Sequence, residues 1–300
     1  MLSKPNILVC TDFTTFSNSA LKVAEKVRER TDGHLDILHV SEHAVMWDWL
    51  PSEGVPGMNN AEYEVGLMNK LRLILERQME SCSVKGEAHI SFGDPSSVIL
   101  QEVLEKKIDL IVIGHKGRTG LNFHFGSVAQ KVVAVSPVPV LVIKQEREVK
   151  KIACLLDPNE PMKSLLQWSE EMAYLFSSQL TVVSLFLDIA ARYASYKKTG
   201  YSTDLMALRP EQKEKILSEV RNKIVSLLDP HSKADLRVEV SAEKKLSYHL
   251  NSILSDEKID LAIMKRHQYG FLETLLIGSE TRRMLEIFHG NLLILPPLKE

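Results

Sequence analysis

The sequence predicts an α/β protein of two tandem doubly wound domains, each built on a five-stranded parallel sheet. Three observations carry that reading. Short β-rich runs alternate with amphipathic stretches, the runs are continuously apolar, and the landmarks of the first half return in order in the second. Continuous apolar runs belong to strands whose two faces are both covered by helices. Right-handed crossovers then follow from strand twist.

In the first half the pattern predicts strands over 5–11, 34–40, 84–91, 108–113 and 138–143, with helices over 17–31, 60–82, 96–106 and 127–135. The second half predicts strands over 151–156, 179–185, 235–241, 259–264 and 291–295. Its first helix covers 162–176, and a long connection runs from Asp188 to Pro210. The repeat is direct. Ile7-Leu8-Val9-Cys10-Thr11-Asp12 returns as Ile152-Ala153-Cys154-Leu155-Leu156-Asp157, each followed by a helical segment. Ile108-Asp109-Leu110-Ile111-Val112-Ile113 returns as Ile259-Asp260-Leu261-Ala262-Ile263-Met264. Gly126-Ser127, ahead of a helix, returns as Gly278-Ser279, and the run 138–143 returns as 291–296. Five landmarks in one order point to a duplication. The charged segment Lys144 to Lys150 has the polarity of a linker, which gives domains 1–146 and 147–300.

Composition limits the function. A chain of 300 residues with 44% hydrophobic content supports two full cores without a disulfide or metal staple. A net charge of -2 excludes a general nucleic-acid binder, which needs a strong basic excess. The three cysteines, Cys10, Cys82 and Cys154, show no metal-ligand spacing. Cys10 and Cys154 lie inside apolar runs, where cysteine acts as a small hydrophobe. An odd count without a framework fits a reducing compartment. The polar stretch Met1 to Asn6 runs straight into a strand, unlike a signal peptide, and no apolar run reaches membrane-spanning length. The expectation is a soluble cytoplasmic protein with no membrane partner.

In an open parallel sheet a ligand sits beyond the carboxyl ends of the strands, where strand order reverses. Asp12 ends the first strand, Val40 the second, and the segment from Gly114 to Val128 follows the fourth. Gly114 and Gly117 let the backbone turn sharply and approach a ligand. Gly126-Ser127 opens a helix whose first amides and positive dipole end suit an anion, and Ser127 can cap it or touch a phosphate oxygen. His115, Lys116, Arg118 and His124 add charge nearby. Glycine-rich connections and solvated basic loops also occur without any ligand. The segment is neither a Walker loop nor a GxGxxG fingerprint.

Asp12 after an apolar strand, the following Phe13-Thr14-Thr15-Phe16-Ser17, Gly93-Asp94-Pro95 before the third helix, and a Gly-x2-Gly…Gly-Ser segment before a Pro-Val-Pro-Val strand together resemble the universal stress protein family. The resemblance covers the first half and, more weakly, the second, and tandem members are common in that family. It implies an adenine nucleotide-binding fold of the α-hydrolase-like kind, with ATP or a related adenine nucleotide as ligand and magnesium only if a triphosphate is bound. Asp12 would lie against adenine or ribose, and Val40 would offer its backbone to adenine. Gly114, His115 and Gly117 would wrap ribose and phosphates, while Gly126, Ser127 and Val128 would hold the phosphates. The family spacing is Gly-x2-Gly-x9-Gly-Ser/Thr, but here only eight residues separate Gly117 from Gly126. That shortening leaves open whether AMP or ADP fits better than ATP. In the second half the spacing is complete, but Lys265 and Gln268 replace the first two glycines. The expectation is a site in the first half and a degenerate one in the second.

The function implied is a nucleotide-dependent regulatory module in a stress response, with an unidentified protein partner. A structural or partner-binding stress protein without nucleotide is the alternative, and a slow ATP hydrolase a further one. No Gly-x-Ser-x-Gly or His-Glu-x-x-His motif supports an enzyme. The last strands of the two halves are expected to pair within one chain, with homodimers left open. His39 and His43 lack the shared-face geometry of a helical metal site. Trp47 and Trp49 fit loop packing, Arg282 and Arg283 an exposed helix, and the tyrosine-bearing 188–210 segment a surface connection.

Overall fold

The computed structural model describes residues 3–42, 60–115, 127–157, 160–187, 210–241, 246–266 and 279–297. The main division into two compact units falls between Glu146 and Arg147. The first unit runs β1 (Asn6–Thr11), α1 (Thr15–Thr31), β2 (His34–Ser41), α2 (Asn60–Cys82), β3 (Glu87–Phe92), α3 (Pro95–Glu105), β4 (Leu110–Gly114), α4 (Ser127–Val135) and β5 (Val140–Ile143). Its strands lie in the order β3-β2-β1-β4-β5, all parallel.

The second unit runs β6 (Lys151–Leu156), α5 (Lys163–Phe176), β7 (Gln179–Leu187), α6 (Pro210–Leu227), β8 (Asp235–Ser241), α7 (Leu246–Asp256), β9 (Leu261–Lys265), α8 (Ser279–Ile287) and β10 (Asn291–Leu295). Its order, β8-β7-β6-β9-β10, is the same topology. Each unit is therefore a doubly wound parallel sheet whose strand order reverses beside its first strand. The central strands form the core: Ile7, Leu8, Leu110 and Ile111 in one unit, Ile152, Cys154 and Ile263 in the other, are wholly buried. Burial pushes the Cys10 and Cys154 thiols up to about 12, so both stay neutral apolar groups. Among the described residues no helix is long and apolar enough to cross a membrane.

The repeated Ile-Asp-Leu has a physical basis. After α3, Lys107 turns left-handed (φ 51°), and the Ile108 amide donates to the Val103 carbonyl at 3.0 Å. After α7, Lys258 (φ 55°) does the same, with the Ile259 amide on Leu254 at 2.9 Å. Each isoleucine thus closes a helix in a Schellman turn. The aspartate then accepts from the start of the neighbouring first strand. Asp109 takes the Asn6 amide at 2.8 Å, and Asp260 takes the Lys150 and Lys151 amides at 2.9 and 3.0 Å. Arg147 Nε adds an ion pair to Asp260 at 3.0 Å.

Several boundaries differ from the sequence reading, three of them with a clear local cause. Ile108 and Val84 close helices instead of opening strands; Ser83 is left-handed (φ 55°), and the Val84 amide donates to Met79 at 3.0 Å. Helix α1 starts at Thr15, because Thr14 caps it by accepting from the Ser17 amide. The repeat of the last strand is also one residue out of step. Gly114 pairs with Ile143 and Lys265 with Leu295, so Ile143 corresponds to Leu295 and not to Pro296.

The Gly93-Asp94-Pro95 segment is a helix start. Gly93 takes φ 136°, a conformation closed to side-chain-bearing residues, and its amide donates to the Ser41 carbonyl at 3.1 Å. Asp94 caps α3, accepting from Ser96 Oγ at 2.6 Å, the Ser97 amide at 3.0 Å and Ser97 Oγ at 2.9 Å. Those bonds, led by Ser96, pull its carboxyl down from an ordinary 3.8 to about 2. Replacing Asp94 with Ala should cost about 1 kcal/mol in urea unfolding at neutral pH. Because the folded carboxyl is depressed, this contribution is complete above about pH 4 and is lost as pH falls through its folded value.

Candidate functional site

The switch point of the first unit lies at the carboxyl ends of β1, β2 and β4. The register sets Thr11 opposite His39 and Cys10 opposite Ile113, so one step on Asp12, Val40 and Gly114 come to a single edge. Asp12 and Val40 are half-buried there. Asp12 Oδ1 accepts from the Thr14 amide at 3.1 Å and from Thr14 Oγ1 at 2.6 Å. Its Oδ2 takes no hydrogen bond among the described residues. The carboxylate therefore shapes the β1–α1 turn with one oxygen and presents the other at the edge.

That turn is strained and heavily supported. Phe13 is left-handed (φ 64°), which costs a non-glycine residue about 1–3 kcal/mol. Its amide donates to Thr11 Oγ1 at 3.2 Å, and its ring lies 4.2 Å from that of His39. His39 is buried, with Nδ1 2.9 Å from the Thr11 carbonyl. Beneath, Thr11 Oγ1 donates to Gln78 Oε1 at 2.7 Å, and the Gln78 amide group donates to Asn18 Oδ1. A buried polar network thus joins β1, α1 and α2 under the edge.

Gly114 meets α1 at close range. A Cβ there would stand 3.0 Å from the Phe16 carbonyl carbon and 3.1 Å from its oxygen, so only glycine brings β4 this near the first turn of the helix. The His115 amide donates to Ile143 at 3.0 Å, and its ring sits edge-on to Phe16 at 4.4 Å. Ser127 opens α4 and half-buried Val128 follows. Gly117 and Gly126 lie outside the described residues, as do Lys116, Arg118, His124, His43, Trp47, Trp49 and the 188–209 segment. Phe13, Thr14 and Phe16 escaped the sequence reading as individual contributors. The Asp-x-Thr spacing, typical of a side chain bonding its own backbone two residues on, was the available signal.

The second unit departs at the same place. Pairing makes Ile7 equivalent to Ile152 and Gly114 equivalent to Lys265. Lys265 is buried and its Nζ donates to the Pro161 carbonyl at 3.4 Å. Counting on from the two isoleucines, Pro161 stands where Phe16 stands in the first unit. The lysine stem thus lies in the direction in which Gly114 leaves no room. Helix α5 begins only at Lys163, and Met162 gives it no side-chain cap. Next to it, Arg266 is half-buried, and loss of solvent lowers its pKa. Elsewhere, Arg282 pairs with Glu286 at 3.1 Å, and Arg283 stacks 4.7 Å over Tyr248.

The family model described as Universal stress protein family matches residues 5–144. Universal stress protein YxiE of Bacillus subtilis is 32% identical over 149 residues, which cover 97% of that protein and 46% of this chain. The chain belongs to the universal stress protein family. Universal stress protein Slr1230 of Synechocystis is 23% identical over 300 residues, 93% of this chain and 96% of its own. The crystal structure of a universal stress protein from Archaeoglobus fulgidus aligns over 98% of this chain and 99% of its own. Its TM-score is 0.67 and its identity 14%, a likeness of fold.

Gly114 of this universal stress protein sets a stability test. Gly114→Ala should destabilise by about 1–3 kcal/mol, because the new methyl presses on backbone atoms that cannot turn aside. Gly66→Ala in α2, where a Cβ meets nothing within 4 Å, should instead stabilise by about 0.5–1 kcal/mol. Urea denaturation of the two variants checks both signs.

Proposed function

We propose that the first unit binds an adenine nucleotide, AMP, ADP or ATP, at this edge and serves as a nucleotide-dependent regulatory module. The observation that carries the reading is the close approach of β4 to α1 at Gly114, beside a half-buried Asp12 with one carboxylate oxygen directed to neither Thr14 contact. Asp12 Oδ2 accepts hydroxyls of ribose or an adenine amine. The Val40 backbone faces adenine. Gly114, His115 and Gly117 follow the ribose and phosphates, and Gly126, Ser127 and Val128 meet the phosphates at the start of α4, whose free amides favour anions. A bound triphosphate brings magnesium as its counter-ion.

Binding, not chemistry, is the role these groups suit. Asp12 is engaged by Thr14 and the His115 ring rests on Phe16, so both serve to position a ligand. A nucleotide then alters a partner surface only to the extent that it prefers one conformation over another. The second unit is read as the degenerate copy, because Lys265 fills the place of Gly114. The shortened spacing between Gly117 and Gly126 favours a second reading, a partner-binding stress protein that needs no nucleotide.

Titration calorimetry of protein stripped of nucleotide by unfolding and refolding separates the two. AMP, ADP or ATP should bind at one per chain. At a free concentration of about 100 times Kd it should stabilise the fold by about 2.7 kcal/mol. Gly114→Lys should abolish binding, while Lys265→Gly should leave it unchanged. No heat with any of the three at millimolar concentration would establish the second reading.

A further inference from the structure

At the other end of the first sheet, four side chains converge that the nucleotide reading leaves unused. His34 and Asp36 lie two apart on β2, and Glu87 and His89 two apart on β3. The register sets Asp36 opposite Glu87 and Leu38 opposite His89, so strand alternation puts all four on one face. His34 Nε2 is 3.2 Å and His89 Nε2 3.3 Å from the same oxygen, Asp36 Oδ1. Glu87 Oε2 lies 3.9 Å from His89 Nε2, and ligand atoms of His34, Asp36 and Glu87 fall within 4.8 Å of one another. The other Asp36 oxygen, Oδ2, faces Lys106 Nζ at 3.5 Å, and that ammonium is shared with Glu102 at 3.2 Å.

We infer that this cluster is a binding site for a divalent ion of the zinc class, held by His34, Asp36 and Glu87, with His89 beside them on Asp36 Oδ1. Three features point there. The first is donor chemistry: imidazole nitrogen with carboxylate oxygen suits zinc, nickel and copper. The second is spacing. Ligand bonds of about 2.0–2.2 Å at a tetrahedral angle place donor atoms about 3.3–3.5 Å apart. The His34 Nε2–Asp36 Oδ1 separation of 3.2 Å fits that edge, and it is also within hydrogen-bond reach. The third is charge. Asp36, Glu87 and Glu102 carry three negative charges against one on Lys106, and a divalent ion cancels the remainder.

The neutral His34 imidazole would bind through the Nε2 lone pair with its proton on Nδ1. The accessibility of the site fits loading from solvent: His34 and Glu87 are exposed and His89 half-buried, while Asp36 is fixed within the fold. The ion would clip the outermost strand, β3, to β2. Such a clip answers the weakness of an edge strand, which has a neighbour on one side only.

The test uses the full chain, treated with a chelator and titrated with zinc chloride against a chromophoric competitor. One tight site per chain is expected, with a visible absorption band of tetrahedral type when cobalt(II) replaces zinc. His34→Gln and Glu87→Gln, and the double variant carrying both, should each weaken zinc binding by at least about tenfold, by analogy with the loss when supporting groups are removed. Both side chains reach solvent, and thermal unfolding without metal should confirm that the variants keep their fold. Stoichiometric zinc binding should also raise the thermal midpoint of the parent chain and not that of the double variant. Absence of a tight site in the parent chain, or unchanged affinity in the double variant, would overturn the assignment. Neither outcome bears on nucleotide binding, which is read at the opposite end of the strands.

Discussion

The first unit is organised around a close approach of backbone to backbone. Where β4 ends, Gly114 lies so near the first turn of α1 that a methyl group would sit 3.0 Å from the Phe16 carbonyl carbon. Glycine is required by space here, not by an unusual dihedral angle. The approach pins the helix start beside the end of β1, which obliges the intervening turn to be tight. Phe13 then takes a left-handed conformation, and Asp12, Thr14 and the His39 ring hold it there. The strain is local and the restraint comes from three elements, the arrangement in which such a conformer persists.

Helix endings impose a second constraint, and it explains why the chain looks repeated. A parallel sheet returns each strand through a helix, so every unit must end a helix and start a strand within a few residues. The Schellman turns at Lys107 and Lys258 do so with an isoleucine that closes the helix and an aspartate that accepts the first strand's amides. Those amides stand at the exposed start of a central strand, where the aspartate gives each a protein acceptor. An Ile-Asp-Leu signature at both places follows from that accounting.

The same turns set how much of the fold could be read in advance. The strands were legible because a sheet covered on both faces demands unbroken apolar runs, and topology followed from their alternation with helices. The first residues of β3 and β4 were not legible. Val84 and Ile108 are apolar residues adjoining strands, and nothing in periodicity separates a helix-closing residue from a strand-opening one. Likewise the last repeat slipped by one residue, because an apolar run such as 291–295 matches its partner almost equally well in either register. At the candidate site, Asp12 and Gly114 could be placed from sequence as strand-end residues. The contacts of Phe13 with His39 and of Phe16 with His115 depend on pairing between strands, which a linear pattern does not contain. His34-x-Asp36 and Glu87-x-His89 show the alternation of two strand faces, but only the register of β2 with β3 brings them together.

The two units differ where Lys265 stands in the place of Gly114. A stem at Lys265 extends toward the space that the first helical turn occupies in the other unit. Helix α5 accordingly starts at Lys163, three positions later than its counterpart would, although both helices end at equivalent residues, Thr31 and Phe176. Steric relief is one consequence of that retreat and electrostatics another. A helix N-terminus carries partial positive charge, unfavourable beside an ammonium. Moving the start of α5 outward separates the two and frees the Pro161 carbonyl to accept from Lys265 Nζ. A buried ammonium needs such acceptors, since an unpaired one is far more costly than an unpaired neutral donor. The second unit thus holds a buried cation at the edge where the first unit has a glycine. The duplicated fold retains its sheet order and its core while this edge differs between the two units.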